Sequence, residues 1–414
     1  MTKGILGITA EYDPFHNGHR YHLDRAREAA CPDGVVCVMS GDFTQRGEPA
    51  AADKWQRARV ALHQGVDLVL ELPFLCACNR ADRFASGAVD ILAGAGATHI
   101  AFGCEAEDPR MLEELASRQL ECGEEWEERT REEMKTGLSR ARAAQIAGDA
   151  LFGEDLNRLS TQPNNILALE YLKRIRHWEE KGRHIVPVPI RRHGSGYKEA
   201  AAASHPDGDT AQYAGGTALR QMLRRGEDIR PYVPDETADT LDWLDQKAAG
   251  ETMFRQLQGI ALRAAPEELE NIYCIGEGLE NKLLREIRGA GSYDDLLDRM
   301  TSKRYTASAI RRILIYILMG LQGSRADAIL KGSAATGFSG ACYGRILAVN
   351  EAGRDILAGD PPLTVIANIN KIQNCPPAVQ DSLSLDIQAA DLYNLIQGKS
   401  LPENDDRRRR PWVE

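Results

Sequence analysis

The sequence predicts an α/β fold whose first half is a parallel sheet covered by helices and whose second half is mostly α-helical. Five segments of the first half are apolar throughout and are predicted strands, at residues 4–9, 35–39, 66–72, 99–102 and 184–190. Amphipathic segments at residues 19–30, 53–64 and 81–93 separate the first four of them. Apolar strands that alternate with helices are typical of a Rossmann-like parallel sheet buried on both faces.

The other predicted elements are helices. Residues 105–183, between the fourth and fifth strands, are too many for a simple crossover and predict a helical insertion. Beyond residue 230, apolar residues recur three or four positions apart, as on one helix face, at residues 257–263, 280–287, 307–321 and 382–396. Because 414 residues fit two or three domains, we predict an α/β domain at residues 1–230 and a mostly α-helical domain at residues 231–414.

The charge balance argues against a protein that coats nucleic acid nonspecifically. The chain carries 51 basic and 61 acidic residues, for a net charge of −10. Binding follows local rather than total charge, so a basic patch remains possible. Basic residues concentrate at Arg220, Arg224 and Arg225, at Lys303, Arg304, Arg311 and Arg312, and at Arg407 to Arg410. The last group is more typical of a solvated tail.

Membrane and metal-binding classes find no support in the sequence. No apolar run is long enough to span a membrane, and the first residues lack the architecture of a signal peptide. We therefore expect a cytoplasmic protein. The nine cysteines show no C-x-x-C spacing, and Cys76 and Cys78 are too close for an ordinary zinc site. We expect buried thiols and no metal bound by Cys/His clustering.

The most informative motif follows the first predicted strand, where His16, Asn17, Gly18 and His19 open a helix. Gly18 allows the backbone to approach a phosphate group, and the helix start presents free N–H groups. The two imidazoles can donate hydrogen bonds to phosphoryl oxygens as charge develops in a transition state. The motif therefore predicts chemistry on a nucleoside triphosphate, with His16 and His19 as the catalytic pair. The alternative is a helix start whose histidines only cap and pack.

Two more polar loops follow strands of the same sheet. Residues 40–49 follow the second strand, and Gly103-Cys104-Glu105 follows the fourth. Because parallel sheets bind ligands at the carboxyl ends of their strands, these loops and the histidine motif are expected to converge on one site.

Several separated segments together resemble the bacterial tRNA(Met) cytidine acetate ligases, a family of HIGH-type nucleotidyltransferases. The segments are AEYDPFHNGHRYH, MSGDFTQRGEPA, DKWQRARVAL, GVDLVLELP, ADRFASGAVDIL, FGCE, QPNNILALEY and SKRYTASAIRRILIYILMGL. The resemblance implies an enzyme that makes acetyl-adenylate from ATP and acetate. It then transfers the acetyl group to N4 of the wobble cytidine of elongator tRNA(Met).

The resemblance also implies a set of ATP-binding residues, with Mg²⁺ accompanying the nucleotide. They are Gly7, Ile8, Thr9, Ala10, Glu11, Tyr12, Asp13, Pro14, Phe15, His16, Asn17, Gly18, His19, Arg20, Gly103, Asn164, Asn165, Arg191, Arg192, Thr217 and Arg220. Simpler roles stay open for some of them: a strand-end turn at Gly103, helix capping at the asparagines, and a solvated pair at Arg191 and Arg192.

Other cations are candidates for the acyl and tRNA ends. Arg46 can hold the acetate carboxylate by a bidentate contact, although a structural loop arginine is the alternative. Lys54 and Arg57, on the next helix, are expected at the acyl or tRNA end. For tRNA the best candidates are Lys303, Arg304, Arg311 and Arg312, beside Tyr305, which offers a ring for stacking. The alternative is an amphipathic helix whose basic face is merely solvated.

Four residues at three sites depart from the usual family pattern. This chain has Gly215-Gly216 where Ser-Ala is usual, Asp13 where Asn is usual, and Gln162 where Lys is usual. Asp13 brings a negative charge that would oppose phosphate or help to hold Mg²⁺. Two other functions are alternatives: a metabolite adenylyltransferase of the same fold, and a catalytically weak RNA-binding relative, which the changes at Gly215, Gly216 and Gln162 would fit.

Overall fold

The structure is a computed structural model, and it describes residues 4–138, 140–191, 212–335, 337–338, 343–359 and 361–414. Eight strands form one sheet in these ranges. They are β1 (Ile5–Ala10), β2 (Gly34–Ser40), β3 (Leu68–Leu72), β4 (His99–Cys104), β5 (Val186–Arg191), β6 (Tyr343–Val349), β7 (Thr364–Ile366) and β8 (Trp412–Val413).

The five strands of the first half pair in parallel, in the order β5-β4-β1-β2-β3. They are the five predicted strands, with ends shifted by one or two residues. Ile8 pairs with Cys37 on β2 and with Ala101 on β4, so β1 is central in this part of the sheet. The carboxyl ends of β1, β2 and β4, with their polar loops, therefore lie at one edge, as predicted.

Helices cover the sheet and fill the insertion. Those of the first half are α1 (Asn17–Ala30), α2 (Lys54–His63), α3 (Phe74–Ala77), α4 (Ala81–Gly94), α5 (Arg110–Glu121), α6 (Gly123–Lys135), α7 (Arg140–Phe152), α8 (Glu154–Asn157) and α9 (Pro163–Glu180). Those after β5 are α10 (Gly216–Arg224), α11 (Asp235–Thr240), α12 (Gln246–Ala261), α13 (Pro266–Glu270), α14 (Leu279–Glu286), α15 (Tyr293–Met300), α16 (Ala307–Met319), α17 (Gly323–Ala334), α18 (Glu351–Ala358) and α19 (Pro377–Ile396).

The second half is mostly α-helical, but it also contributes three strands to the sheet. β6 pairs antiparallel with β3, and β7 and β8 both pair parallel with β6. β6 is buried along its whole length and covers the edge that β3 would otherwise expose. These strands lie among helices and join the sheet from distant sequence, so they fall outside the alternation of strands and helices that predicted the other five. The sheet thus runs across the predicted boundary at residue 230.

Three large hydrophobic clusters hold these layers together. One lies between the sheet and α4, α5 and α9, and a second lies on the α1 and α2 face. The third joins α12 to α17 and α19 with Phe43, Phe74, Leu75 and Cys78 of the first half. The thiols of Cys76 and Cys78 are fully buried, as predicted. Within the described ranges, no helix combines the length and apolarity needed to cross a bilayer.

A buried ion network joins α2 to the last residues of the chain. Lys54 Nζ lies 2.7 Å from Glu71 Oε1 and 3.1 Å from Asp406 Oδ2. Arg345 on β6 also pairs with Asp406, and Trp55 Nε1 donates to it at 2.9 Å. Burial by itself lowers the pKa of Lys54, but attraction by Asp406 and Glu71 outweighs burial, so this pKa lies above its ordinary value.

The expectation that Lys54 and Arg57 serve the acyl or tRNA end is therefore wrong. Each residue is only 1% exposed. Arg57 donates to the backbone carbonyls of Ala52 at 2.9 Å and Ser40 at 3.2 Å, while Lys54 neutralises buried carboxylates. The chain needs both cations inside, because buried carbonyl and carboxylate groups require partners.

Replacing Lys54 should destabilise the fold strongly. Lys54→Met leaves Glu71 and Asp406 with Arg345 as their remaining buried cation, so we expect a loss of about 3–5 kcal/mol in the free energy of unfolding. Denaturant titration of both proteins measures it. Lys399→Met, which removes an exposed ion pair with Asp242, is the control and should cost less than about 1 kcal/mol. Equal losses would contradict the buried network.

Candidate active site

A cavity of about 430 Å³ opens at the carboxyl edge of the sheet. Its wall is built by the segment after β1, the loop after β2, the end of β4 and the starts of α9 and α10. The predicted residues on this wall are Ile8, Thr9, Ala10, Glu11, Tyr12, Asp13, His16, Gly18, His19, Arg46, Gly103, Asn164, Arg191, Thr217 and Arg220. The polar loops predicted to converge therefore meet at one cavity.

Other predicted ATP residues lie behind the wall or away from it. Phe15 is 1% exposed and packs in the core with α1 and α2. The side chain of Asn17 donates to Gln212 O at 3.0 Å and so fastens α1 to the chain before α10. Among the described residues, those predicted for ATP but absent from the wall are Gly7, Pro14, Phe15, Asn17, Arg20 and Asn165. Arg192 lies outside the described residues.

The two motif histidines form a fixed pair at the start of α1. The rings of His16 and His19 stack with centroids 3.6 Å apart and an interplanar angle of 18°. The backbone N–H of His16 donates to Nδ1 of His19 at 3.3 Å. In a neutral His19 ring the proton is therefore on Nε2, which is the N–H donor. The pair stands where the helix has its positive end. A bound anion is favoured at this end of a helix.

Arg220 reaches from α10 to the segment after β1. Its Nη1 lies 2.8 Å from Asp13 O and 3.1 Å from Asp13 Oδ2, and its Nη2 lies 3.3 Å from Glu48 Oε2. Asp13 Oδ1 accepts a hydrogen bond from the N–H of Ala51 at 2.6 Å. The carboxylate of Asp13 is therefore neutralised by Arg220 and bound to backbone, so its charge does not stand alone against phosphate.

Gly216 and Asp13, which both depart from the family pattern, lie next to each other. A Cβ atom at Gly216 would lie 3.0 Å from Asp13 O and 3.2 Å from Arg220 Nη1. Glycine thus leaves room for the ion pair that Asp13 makes. Gly215 is the N-cap of α10 and lacks the side-chain oxygen that serine would offer, which costs only a few tenths of a kcal/mol at such positions.

The third departure, Gln162, also has a contact within the chain. The amide of Asn165 donates to Gln162 Oε1, and its Oδ1 accepts from the N–H of Glu105 at 2.8 Å. Asn164 donates to the Glu105 carboxylate. The two asparagines therefore bind the loop after β4 to the start of α9. Asn164 alone of the pair lines the cavity.

The loop after β2 connects the cavity with the helical region. Gly47 has φ +76, and a Cβ atom there would clash with the backbone nitrogen of Arg312 on α16. Arg312 Nη1 donates to Gln45 O at 3.0 Å, and Arg311 Nη1 lies 3.4 Å from Glu48 Oε1. The side chains of Arg311 and Arg312, predicted for tRNA, thus hold α16 to the cavity loop.

The exposed tRNA candidates are Lys303 and Arg304, just before α16. Arg304 pairs with Glu277, an ion pair whose two side chains are 64% and 49% exposed. Surface ion pairs of this kind contribute little to stability. These two cations are therefore available at the surface.

Sequence reasoning missed the apolar part of the wall, which consists of Ala81, Phe84, Phe102, Pro163, Ile166, Leu167, Tyr171 and Ile190. Phe84 and Phe102 also belong to the core between the sheet and α4, so their pattern is that of ordinary buried residues. Tyr21 and His22 were missed as well. Only their closeness to the motif and its loops could have indicated them.

Glu11 is the other acidic residue of the wall. Its Oε1 accepts a hydrogen bond from the N–H of Gln45 at 2.7 Å. Burial raises the pKa of Glu11 above its ordinary value, and the negative charge of Asp13 adds to that effect. In the part of the chain that the structure describes, no cluster of three or more His, Cys, Asp or Glu side chains is placed to hold a metal ion.

Comparison with known sequences gives matches along nearly the whole chain. A family model described as HIGH Nucleotidyl Transferase matches residues 3–408. The tRNA(Met) cytidine acetate ligase of Acetivibrio thermocellus is 33% identical over 408 residues, covering 94% of each chain. The protein of the same name from Caldicellulosiruptor saccharolyticus is 34% identical, covering 94% of this chain and 93% of its own.

Solved structures agree with the sequence matches. The apo crystal structure of Thermotoga maritima TmcAL superposes with a TM-score of 0.86 at 29% identity, covering 99% of both chains. Thermotoga maritima TmcAL bound with alpha-thio ATP gives a TM-score of 0.84 at 30% identity, again over 99% of both chains.

The contact between Gly47 and α16 can be tested by adding one methyl group. Gly226 also has a positive φ, of +69, but a Cβ atom there would meet no other atom within 4 Å. Gly226→Ala should cost about 1–2 kcal/mol for the left-handed backbone alone. Gly47→Ala should cost about 1–3 kcal/mol more, because the methyl group displaces α16. Unfolding free energies of the two variants decide the matter, and equal losses would refute the contact.

Proposed function

Because the chain belongs to the HIGH nucleotidyl transferase family and, within it, to the tRNA(Met) cytidine acetate ligases, we propose that it acetylates N4 of the wobble cytidine of elongator tRNA(Met) using ATP and acetate. The observation that carries the proposal is the stacked pair of His16 and His19 on the wall of the cavity. It lies in a chain that superposes over 99% of its length with a protein bound with alpha-thio ATP.

The first step is formation of acetyl-adenylate. An acetate oxygen forms a bond to the α-phosphorus of ATP, and the bond from that phosphorus to the β-phosphate oxygen breaks, releasing pyrophosphate. Positioning and charge stabilisation dominate such phosphoryl chemistry. His16, His19 and Arg220 supply donors at the helix ends that face the cavity. They would stabilise the charge that builds on the phosphoryl oxygens.

Acetate itself needs a cation beside the histidine pair. Arg46 is on the cavity wall and follows Gln45, whose N–H is bound by Glu11. A guanidinium group binds a carboxylate by two parallel hydrogen bonds. We assign Arg46 to the acetate carboxylate, with the anchored loop keeping it beside the segment after β1.

The apolar wall protects the product of the first step. Acetyl-adenylate is a mixed anhydride, and water would hydrolyse it. Phe84 and Phe102 are at most 4% exposed and form part of the cavity wall, so they limit the access of water to a bound adenylate.

Mg²⁺ is assigned to the nucleotide rather than to a site built by the protein. Asp13 is held by Arg220 and by the N–H of Ala51, so its oxygens are already engaged. Mg²⁺ commonly enters such sites on the phosphates and keeps several waters.

The tRNA surface is proposed at Lys303 and Arg304, next to Tyr305 at the start of α16. Arg311 and Arg312 on the same helix contact the loop of Arg46. RNA phosphates bound at Lys303 and Arg304 would therefore lie just before the helix that packs against the cavity loop.

The histidine assignment predicts a defect confined to adenylate formation. His19→Ala should lower acetate-dependent ATP–pyrophosphate exchange by about 100-fold or more, since one transition-state donor contributes on that scale. Its affinity for tRNA should stay unchanged. His184→Ala, which alters a histidine side chain that is 84% exposed, is the control. Normal exchange by His19→Ala would remove His19 from the reaction.

The tRNA assignment predicts the opposite defect. Lys303→Ala with Arg304→Ala should weaken tRNA binding and flatten its dependence on salt, because each lost phosphate contact removes released counterions. Exchange of pyrophosphate should continue. The acetylated product is measured by digesting tRNA after incubation with ATP, Mg²⁺ and labelled acetate, and detecting N4-acetylcytidine. An unchanged salt slope would place the tRNA surface elsewhere.

A further inference from the structure

Acetyl transfer, the second step of the proposed function on which this inference rests, requires a proton acceptor. Neither the histidine motif nor the comparisons assign one. N4 of cytidine forms a bond to the acetyl carbonyl carbon, and the bond from that carbon to the phosphate oxygen of AMP breaks. The amine must also lose one proton. Its lone pair is delocalised into the ring, so a base that removes the proton in the transition state would accelerate the attack.

Two carboxylates lie on the described cavity wall, Glu11 and Asp13. Asp13 is engaged on both oxygens, by Ala51 N–H at 2.6 Å and by Arg220 at 3.1 Å. It is therefore held as the counter-ion of Arg220. The carboxylate of Glu11 makes one hydrogen bond, through Oε1, and among the described residues its Oε2 makes none.

Glu11 is also fixed beside the proposed acyl end. It directly follows β1, and its bond to the N–H of Gln45 links it to the residue before Arg46. A group bound by Arg46 therefore has Glu11 as its neighbour. We propose that Glu11 accepts the N4 proton of the cytidine while the acetyl group is transferred.

The charges around Glu11 suit this task. The groups that face it come from its own segment, the cavity loop, α9, α10 and the end of α3: Asp13, Arg46, Tyr171, Arg220 and Cys78. Burial raises the pKa of Glu11, and Arg46 and Arg220 oppose part of that rise. A carboxylate with a raised pKa is a stronger base, and it remains ionised above that pKa.

The decisive variant is Glu11→Gln in the full chain, because glutamine keeps an oxygen for the N–H of Gln45 but accepts no proton. Two rates are measured: acetate-dependent ATP–pyrophosphate exchange, and single-turnover acetyl transfer to tRNA from the enzyme-bound adenylate. We expect transfer to slow by about 100-fold or more and the ratio of the transfer rate to the exchange rate to fall, because Glu11 accepts a proton only in the second step. Transfer by the unmodified protein should fall as pH drops through the pKa of Glu11, and the variant should lose that dependence.

Two further variants separate a chemical role from a structural one. Glu11→Asp retains the carboxylate and should recover part of the transfer rate. His22→Gln removes the third histidine of the described wall and tests the alternative that the proton passes to it. We expect this variant to transfer the acetyl group faster than Glu11→Gln does. A melting curve for each variant confirms folding.

Several outcomes would overturn the proposal. A parallel fall of exchange and transfer in Glu11→Gln would place Glu11 in adenylate formation. Unchanged transfer would remove it from the reaction, and loss of transfer in His22→Gln alone would give the role to His22. If the unmodified protein shows no acetate-dependent exchange, the proposed function itself fails. That result is distinct from any of the variant results.

Discussion

One buried guanidinium group holds the cavity together. Arg57 is 1% exposed and donates to backbone carbonyls at the end of β2, in the loop that follows it and at Glu11 after β1. A charged donor of this kind contributes about 1.5–3 kcal/mol for each hydrogen bond. The segment of Glu11 and the loop of Arg46 have different sequence origins, and Arg57 is the common partner that sets their spacing.

Much of this arrangement could be predicted from the sequence, because it depends on residues that are close together in the chain. The five parallel strands are apolar on both faces, and such a continuous apolar run can be recognised from a few neighbouring residues. The histidine motif lies between a strand and a helix, and strand order alone then brings the polar loops to one edge. A local sequence pattern does not reveal pairing between segments that are distant in sequence, such as the pairing of β3 with β6.

The positions of three basic side chains could not be predicted from the sequence either. Arg46, Lys54 and Arg57 lie within twelve positions of one another, yet the first lines a cavity and the other two are buried. Composition treats the three alike. Their roles depend on which carbonyls and carboxylates the fold leaves inside, and that set includes Asp406, far along the chain. The apolar cavity wall was missed for a related reason, since Phe84 serves both core and wall. The departures from the family pattern likewise make sense only as contacts, because Asp13 and Gly216 meet through Arg220.

The bond between Lys54 and Asp406 spans 352 positions, and this separation bears on how the molecule is made. During synthesis, α2 and β3 leave the ribosome long before β6 and Asp406 exist. The nascent chain therefore holds the pair of Lys54 and Glu71 without Arg345 and Asp406, next to an unpaired strand edge. Contacts so distant in sequence form slowly, and exposed edges favour aggregation in the meantime. The first half of the sheet therefore stays incomplete until β6 and Asp406 have been synthesised.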